Sequence, residues 1–123
     1  MTPSGIAERI KGITQLSGTN FHEWREEIRL VLGVMDLDHA LREGAPAAPT
    51  AGDDAAANAA AMRQYEMEKQ RWERSNRLSL MIMQNSITIG IRGAIPDSKD
   101  DVPFNAKQYL ASVEERFKSS SKA

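Results

Sequence analysis

The chain has 123 residues, 41% hydrophobic and 27% charged, the size and composition of one ordinary globular domain with a single core. Sixteen basic against seventeen acidic residues give a formal net charge of −1 and a pI near 6.1, which excludes the strong basic excess of a dedicated nucleic-acid binder. The lack of cysteine excludes disulfides and cysteine-ligated zinc and fits the reducing cytosol, and Met1 to Arg9 has no apolar secretory core.

Residues 1 to 19 carry Ile6, Ile10, Ile13 and Leu16 three or four apart, interrupted by Gly5, Gly12 and Gly18. This predicts an arm with a fragile helical turn from Ile6 to Lys11 and then an extended approach, held to the body by Ile13 and Leu16. Asn20 followed by Glu23 reads as a capping box opening the first firm helix. Phe21, Trp24, Ile28, Val31 and Met35 form its apolar face, with Leu32 beside them and Glu23, Arg25, Glu26, Glu27 and Arg29 opposite. Asp36 is expected to cap a short helix from Leu37 to Arg42, stopped by Gly44.

Residues 44 to 54 are Gly, Ala, Pro, Thr and Asp, the composition of a mobile surface loop. Asp53 or Asp54 then caps an Ala-rich helix running to about Ser86, roughly 30 residues and ~45 Å long. Its first half is expected to project, with Met62, Tyr65 and Trp72 inward and Arg63, Glu66, Glu68, Lys69, Gln70 and Arg71 solvated. Leu78 to Met83 is apolar on nearly every side, which predicts the central buried helix of the domain. That run is far shorter than the ~20 residues that span a bilayer. Ile87, Ile89 and Ile91 alternate like a strand, but a strand without a partner is disfavoured, so a break at Ser86 to Thr88 and a short helix to Gly93 are preferred. Residues 98 to 103 read as a loop. The last helix has Ala106, Tyr109, Leu110, Val113 and Phe117 on one face and Asn105 with Gln108 as a cap pair. Residues 118 to 123 read as a disordered tail.

Little of this carries reaction chemistry. His22 and His39 read as surface residues without metal-ligand companions. Asp36-Leu37-Asp38 reads as capping rather than a cation site. Gly90-Ile91-Arg92-Gly93 matches a backbone-clamping loop but lacks the βα pattern around it. No phosphate loop, nucleophile elbow or zinc-protease helix is present, so the expectation is a non-enzyme with no cofactor, no metal, no membrane span and no small-molecule substrate. Arg63, Gln70, Arg74 and Arg77, with Arg71 nearby, line one side of the long helix, where Glu66, Glu68 and Glu73 offset them.

Three blocks of sequence carry a family resemblance. They are Leu16-Ser17-Gly18-Thr19-Asn20-Phe21-His22-Glu23-Trp24, Leu32 to Leu41, and Trp72-Glu73-Arg74-Ser75-Asn76-Arg77 running on to Met83. With Ile91 to Ile95 and Ala106 to Phe117 following in order, the chain resembles the Gag polypeptide of plant copia-type LTR retrotransposons, from about Leu16 to Phe117. The resemblance implies an all-α domain, a compact bundle of about five helices like a retroviral-type capsid N-terminal domain, spanning residues 20–117. It implies self-assembly into particles that enclose the element's RNA, with the RNA held by parts of Gag outside this sequence. A domesticated adaptor binding a cellular protein is the alternative. Trp24, Ile28, Trp72, Asn76, Leu80, Met83, Tyr109 and Phe117 are the expected core, with Asn76 requiring an internal hydrogen-bond partner. Arg25, Arg29, Tyr65, Arg71 and Arg74 are the candidate assembly surface. A cytoplasmic location is expected.

Overall fold

Trp24 and Tyr109 are the largest side chains fully removed from solvent, and the helices are wrapped around them. The computed structural model describes residues 3–120. In chain order they form α1 (Pro3–Lys11), α2 (Phe21–Val34), α3 (His39–Arg42), α4 (Ala55–Asn85), α5 (Ile89–Arg92), β1 (Ser98–Lys99), β2 (Val102–Pro103) and α6 (Ala106–Ser120). The architecture is mainly helical, with one long helix as expected. It departs from all-α at β1 and β2, a minimal antiparallel hairpin pairing Ser98 with Pro103 and Lys99 with Val102, where a loop is expected. Asp100 and Asp101 both take positive φ, 53° and 65°, the backbone hand that a two-residue hairpin turn needs.

The N-terminal segment is more helical than its glycines suggest. α1 runs nine residues, with Arg9 and Lys11 in its last turn, where positive charge offsets the free carbonyls. Ile13 and Leu16 are buried against the body. Leu16 accepts from Thr88 N–H at 3.2 Å and donates to the Ser86 carbonyl at 2.7 Å, forming a single parallel bridge with Ile87. The strand-like alternation at Ile87 to Ile91 is thus satisfied by one bridge, after which Thr88 opens α5.

Asn20 does not cap α2 with its side chain. Its Oδ1 accepts from Ser17 N–H at 3.0 Å and its Nδ2 donates to the Gln15 carbonyl at 3.0 Å, so it staples the turn that leads into the helix. Gly18 sits in that turn at φ +107°, with Ile91 Cδ1 3.5 Å from where a Cβ would stand. The buried face of α2 is Trp24, Ile28 and Leu32, while Phe21, Val31 and Met35 are only half-buried, so the stripe is turned towards Leu32. Asp36 takes φ 55° and closes α2 rather than opening α3. Leu37 N–H donates to the Leu32 carbonyl at 2.8 Å and Asp36 N–H to Gly33 at 3.1 Å, the paired bonds of a Schellman close, with an aspartate where glycine is usual.

Asp54 caps α4, accepting from Ala56 and Ala57 N–H at 3.0 and 3.3 Å. The 31 residues of α4 span about 46 Å. Residues 44–54 carry no regular element. They are tied to the arm where Asn58 and the backbone of Gly52 exchange two hydrogen bonds, at 2.9 and 3.0 Å. Asn105 and Gln108 form the expected reciprocal capping box at α6, at 2.9 and 2.8 Å. α6 continues through Lys118 to Ser120, where a disordered tail is expected; residues 121–123 lie outside the described residues.

Candidate interaction surface

The inward face of α4 is not the apolar run that its sequence advertises. It reads Trp72, Ser75, Ser79, Ile82 and Met83, all buried, with Leu78 and Leu80 at the margins and Met81 50% exposed. The two serines let the α2–α3 turn approach closely. The Leu37 carbonyl accepts from Ser75 Oγ at 2.6 Å and Ser79 Oγ at 2.8 Å, and Ser75 Oγ accepts from Ala40 N–H at 2.9 Å. Trp72 Nε1–H donates to the Glu43 carbonyl at 2.9 Å, and Trp24 Nε1–H to Ser86 Oγ at 2.8 Å. Asn76 is half-buried and has the partner its position demands: Oδ1 accepts from Ala106 N–H at 2.6 Å, at the first turn of α6. A capping acceptor from another helix satisfies a free amide of that terminus.

The expected core therefore divides. Trp24, Ile28, Trp72, Met83 and Tyr109 are buried, whereas Leu80, Asn76 and Phe117 lie at its edge, Phe117 stacked on Phe21 with ring centroids 5.3 Å apart. Burial raises the Tyr109 pKa above its usual 10.0, with Arg92 opposing and Asp97 adding to the shift. Its hydroxyl is buried without a hydrogen-bond partner among the described residues.

The expected assembly residues are also split. Arg25 faces α6, its Nε 2.9 Å from Glu114 Oε1. Its N–H is not aligned with that oxygen, so the contact is an ion pair without a hydrogen bond. Arg25 is thus a bridge between helices rather than part of a free outer surface. Arg29, Arg71 and Arg74 are exposed. Tyr65 is half-buried, with Lys69 Nζ 5.9 Å from its ring centroid. Arg71 and Asp36 approach at 3.6 Å, both well exposed, a contact contributing little in water. Met62, expected to point inward, is largely solvent-facing beside Pro49, Thr50 and Ala51 of the loop.

Arg74 lines an apolar groove of about 320 Å³. Val34, Met35, Leu37, Leu78, Met81 and Ile82 line it, with Ile10 of α1, Asp36 and Asn85. Val34 is 49% exposed. On a helix turning about 100° per residue, Arg63, Met67, Arg71, Arg74, Leu78 and Met81 fall in one sector of roughly 80°. Met67 is 68% exposed. Glu66 and Glu73 lie on one flank and Glu68 on the other, where it accepts from Gln64 Nε2 at 2.9 Å. The structure thus continues the groove along the arm as a basic and apolar strip, with Asp36 beside Arg71 at its edge.

Other motifs fall elsewhere. His22 is exposed, and His39 is half-buried with Nδ1 3.4 Å from Glu43 Oε2. Asp38 pairs with Arg42 at 3.3 Å, and neither Asp36 nor Asp38 caps α3 with its side chain. Gly90 to Gly93 are α5 and its end, with the Arg92 guanidinium donating to the Ile87 carbonyl at 3.0 Å, so they form no clamping loop. Among the described residues no three His, Cys, Asp or Glu side chains are grouped to hold a metal ion, and no helix is long and apolar enough to cross a membrane. No protein-family model, curated protein or solved structure matches the chain.

Proposed function

We propose that this protein is a structural, non-enzymatic domain of the Gag capsid type, which associates with copies of itself through exposed helix faces. The observation that carries this reading is the continuous outer side of α4, where exposed Met67 and Met81 are interleaved with Arg71 and Arg74 and merge into the apolar groove. A strip of this kind is large enough to bind weakly and polar enough to stay in water alone, which repeated assembly contacts need.

The resemblance gains physical content from the fold. Leu16 forms the bridge to Ile87, Gly18 supplies a positive φ, Asn20 staples the turn, and Trp24 is the buried anchor. In the third block Trp72, Ser75 and Asn76 tie α4 to the residue after α3, to α3 and to α6. Several positions in these blocks, Leu16, Trp24, Trp72, Ser75 and Asn76 among them, hold the helices together. Met35 and Met81 on the groove wall favour a second reading, an adaptor whose groove takes a helix of a cellular protein, because methionine adapts to varied partners. Sedimentation velocity from micromolar to millimolar concentration tests the proposal. Concentration-dependent growth of the purified chain supports self-assembly, and a strict monomer throughout overturns it in favour of the adaptor.

A further inference from the structure

α2 turns an outer face to solvent whose charge is opposite to that of the α4 strip. At about 100° per residue, Glu23, Glu26, Glu27, Leu30 and Val34 share one sector. Leu30 is 66% exposed, Glu23 and Glu26 are exposed, and Glu27 is half-buried, accepting from Thr14 N–H at 3.0 Å. Arg25 lies on another side of the helix, facing Glu114 on α6, and this sector is acidic and apolar.

The two faces also match in spacing. Glu26 and Leu30 follow Glu23 by three and seven residues, and Arg74 and Leu78 follow Arg71 by the same intervals. Equal rise along two parallel helices then sets two carboxylates against two guanidiniums while Leu30 lies over the groove at Leu78 and Met81. Within one copy this meeting is impossible, because α2 and α4 run antiparallel: Trp24 bonds to Ser86, and the carbonyl of Leu37 to Ser75 and Ser79. The complementarity is available only between copies.

We propose that the acidic outer face of α2 in one copy docks in parallel on the basic strip of α4 in the next, with Leu30 seated at the groove. This rests on the self-association reading and names its contact. The two surfaces differ, so the contact gives a two-fold dimer when both faces of each copy engage the same partner, and a ring or filament when each face engages a different one. The arginines also suit phosphate, yet Leu78 and Met81 between them and an acidic counterpart on the same chain favour protein.

Charge exchange provides the test. The double variants Arg71→Glu with Arg74→Glu, and Glu23→Arg with Glu26→Arg, alter exposed positions and keep the helical circular dichroism of the wild type. Sedimentation velocity is expected to show association weakened roughly tenfold or more in each variant alone, where like charges now face each other. An equimolar mixture restores association, since every face again meets its opposite. If the wild type associates and either variant associates equally well, or the mixture fails to recover, the pairing is wrong although self-association stands. A wild type that stays monomeric at millimolar concentration overturns both. Loss of single-stranded RNA retardation in the arginine variant, together with failure of the mixture, assigns the strip to phosphate instead and overturns the pairing.

Discussion

The two halves of α4 form one continuous helix held by different forces. From Trp72 to Asn85 the inward residues are tied to neighbours: Trp72 to Glu43, Ser75 and Ser79 to Leu37, Asn76 to Ala106. From Ala55 to Arg71 only Asn58 and Tyr65 are even half-buried. There the helix depends on alanine propensity, the Asp54 cap and the Gly52–Asn58 clamp. The body half is specified by tertiary contacts and the arm half by local preference. Substitutions of similar chemistry should therefore have very different costs in the two halves.

The sharpest contrast is between the core anchor and the arm. Trp24→Ala removes the largest buried ring and the bond to Ser86, and is expected to cost about 3–5 kcal/mol in urea unfolding. Met67→Ala on the arm should stay within about 0.5 kcal/mol. Equal losses would show that the arm is packed. Next comes Ser75→Ala, which leaves the buried Ala40 N–H unpaired at a cost of about 1–3 kcal/mol. Ser79→Ala should cost less, because the Leu37 carbonyl keeps Ser75. Asn76→Ala should lose about 1 kcal/mol with fraying confined to the start of α6, visible as faster amide exchange there, and Asn76→Asp should restore most of it.

Two smaller effects lie outside α4. Asp36→Gly relieves a left-handed aspartate and should gain up to about 1 kcal/mol in thermal unfolding, since the exposed pair with Arg71 contributes little. Tyr109→Phe tests the raised pKa. The unfolded chain releases the phenol proton near 10.0, while the folded chain holds it to higher pH. Stability from the neutral phenol is therefore complete below pH 10.0 and is lost as pH rises through the folded value. The Phe variant should match the wild type near neutrality and lack that part of the alkaline loss.

Much of the helix layout was legible because it rests on local chemistry. The Asp54 cap, the Asn105–Gln108 box, the buried α6 face and the end of α4 follow from residue type and spacing. The serine seam was hidden because Ser75 and Ser79 read as polar breaks in an apolar run, although their spacing from Trp72 and Met83 places them on the same face. Asp36 misled for a related reason: an aspartate before a short helix signals a cap, and only the bonds back to Leu32 and Gly33 show that it closes the helix behind it. The hairpin at 98–103 depends on two successive aspartates at positive φ, a conformation aspartate tolerates but glycine or asparagine would have signalled more strongly. Arg29, Arg71 and Arg74 were recognisable as exposed cations. Arg25 was not recognisable as an inter-helix pair, because Glu114 lies far away in sequence.

Hydrogen–deuterium exchange at two protein concentrations tests most directly the claim that the outer side of α4 is for association. Amides from Met67 to Arg71, the end of the arm beside the docking arginines, should exchange readily in dilute solution and gain protection together with the outer turns of α2 at millimolar concentration, while the Trp72 to Asn85 half remains protected in both. Protection in the arm that does not change with concentration would contradict the account.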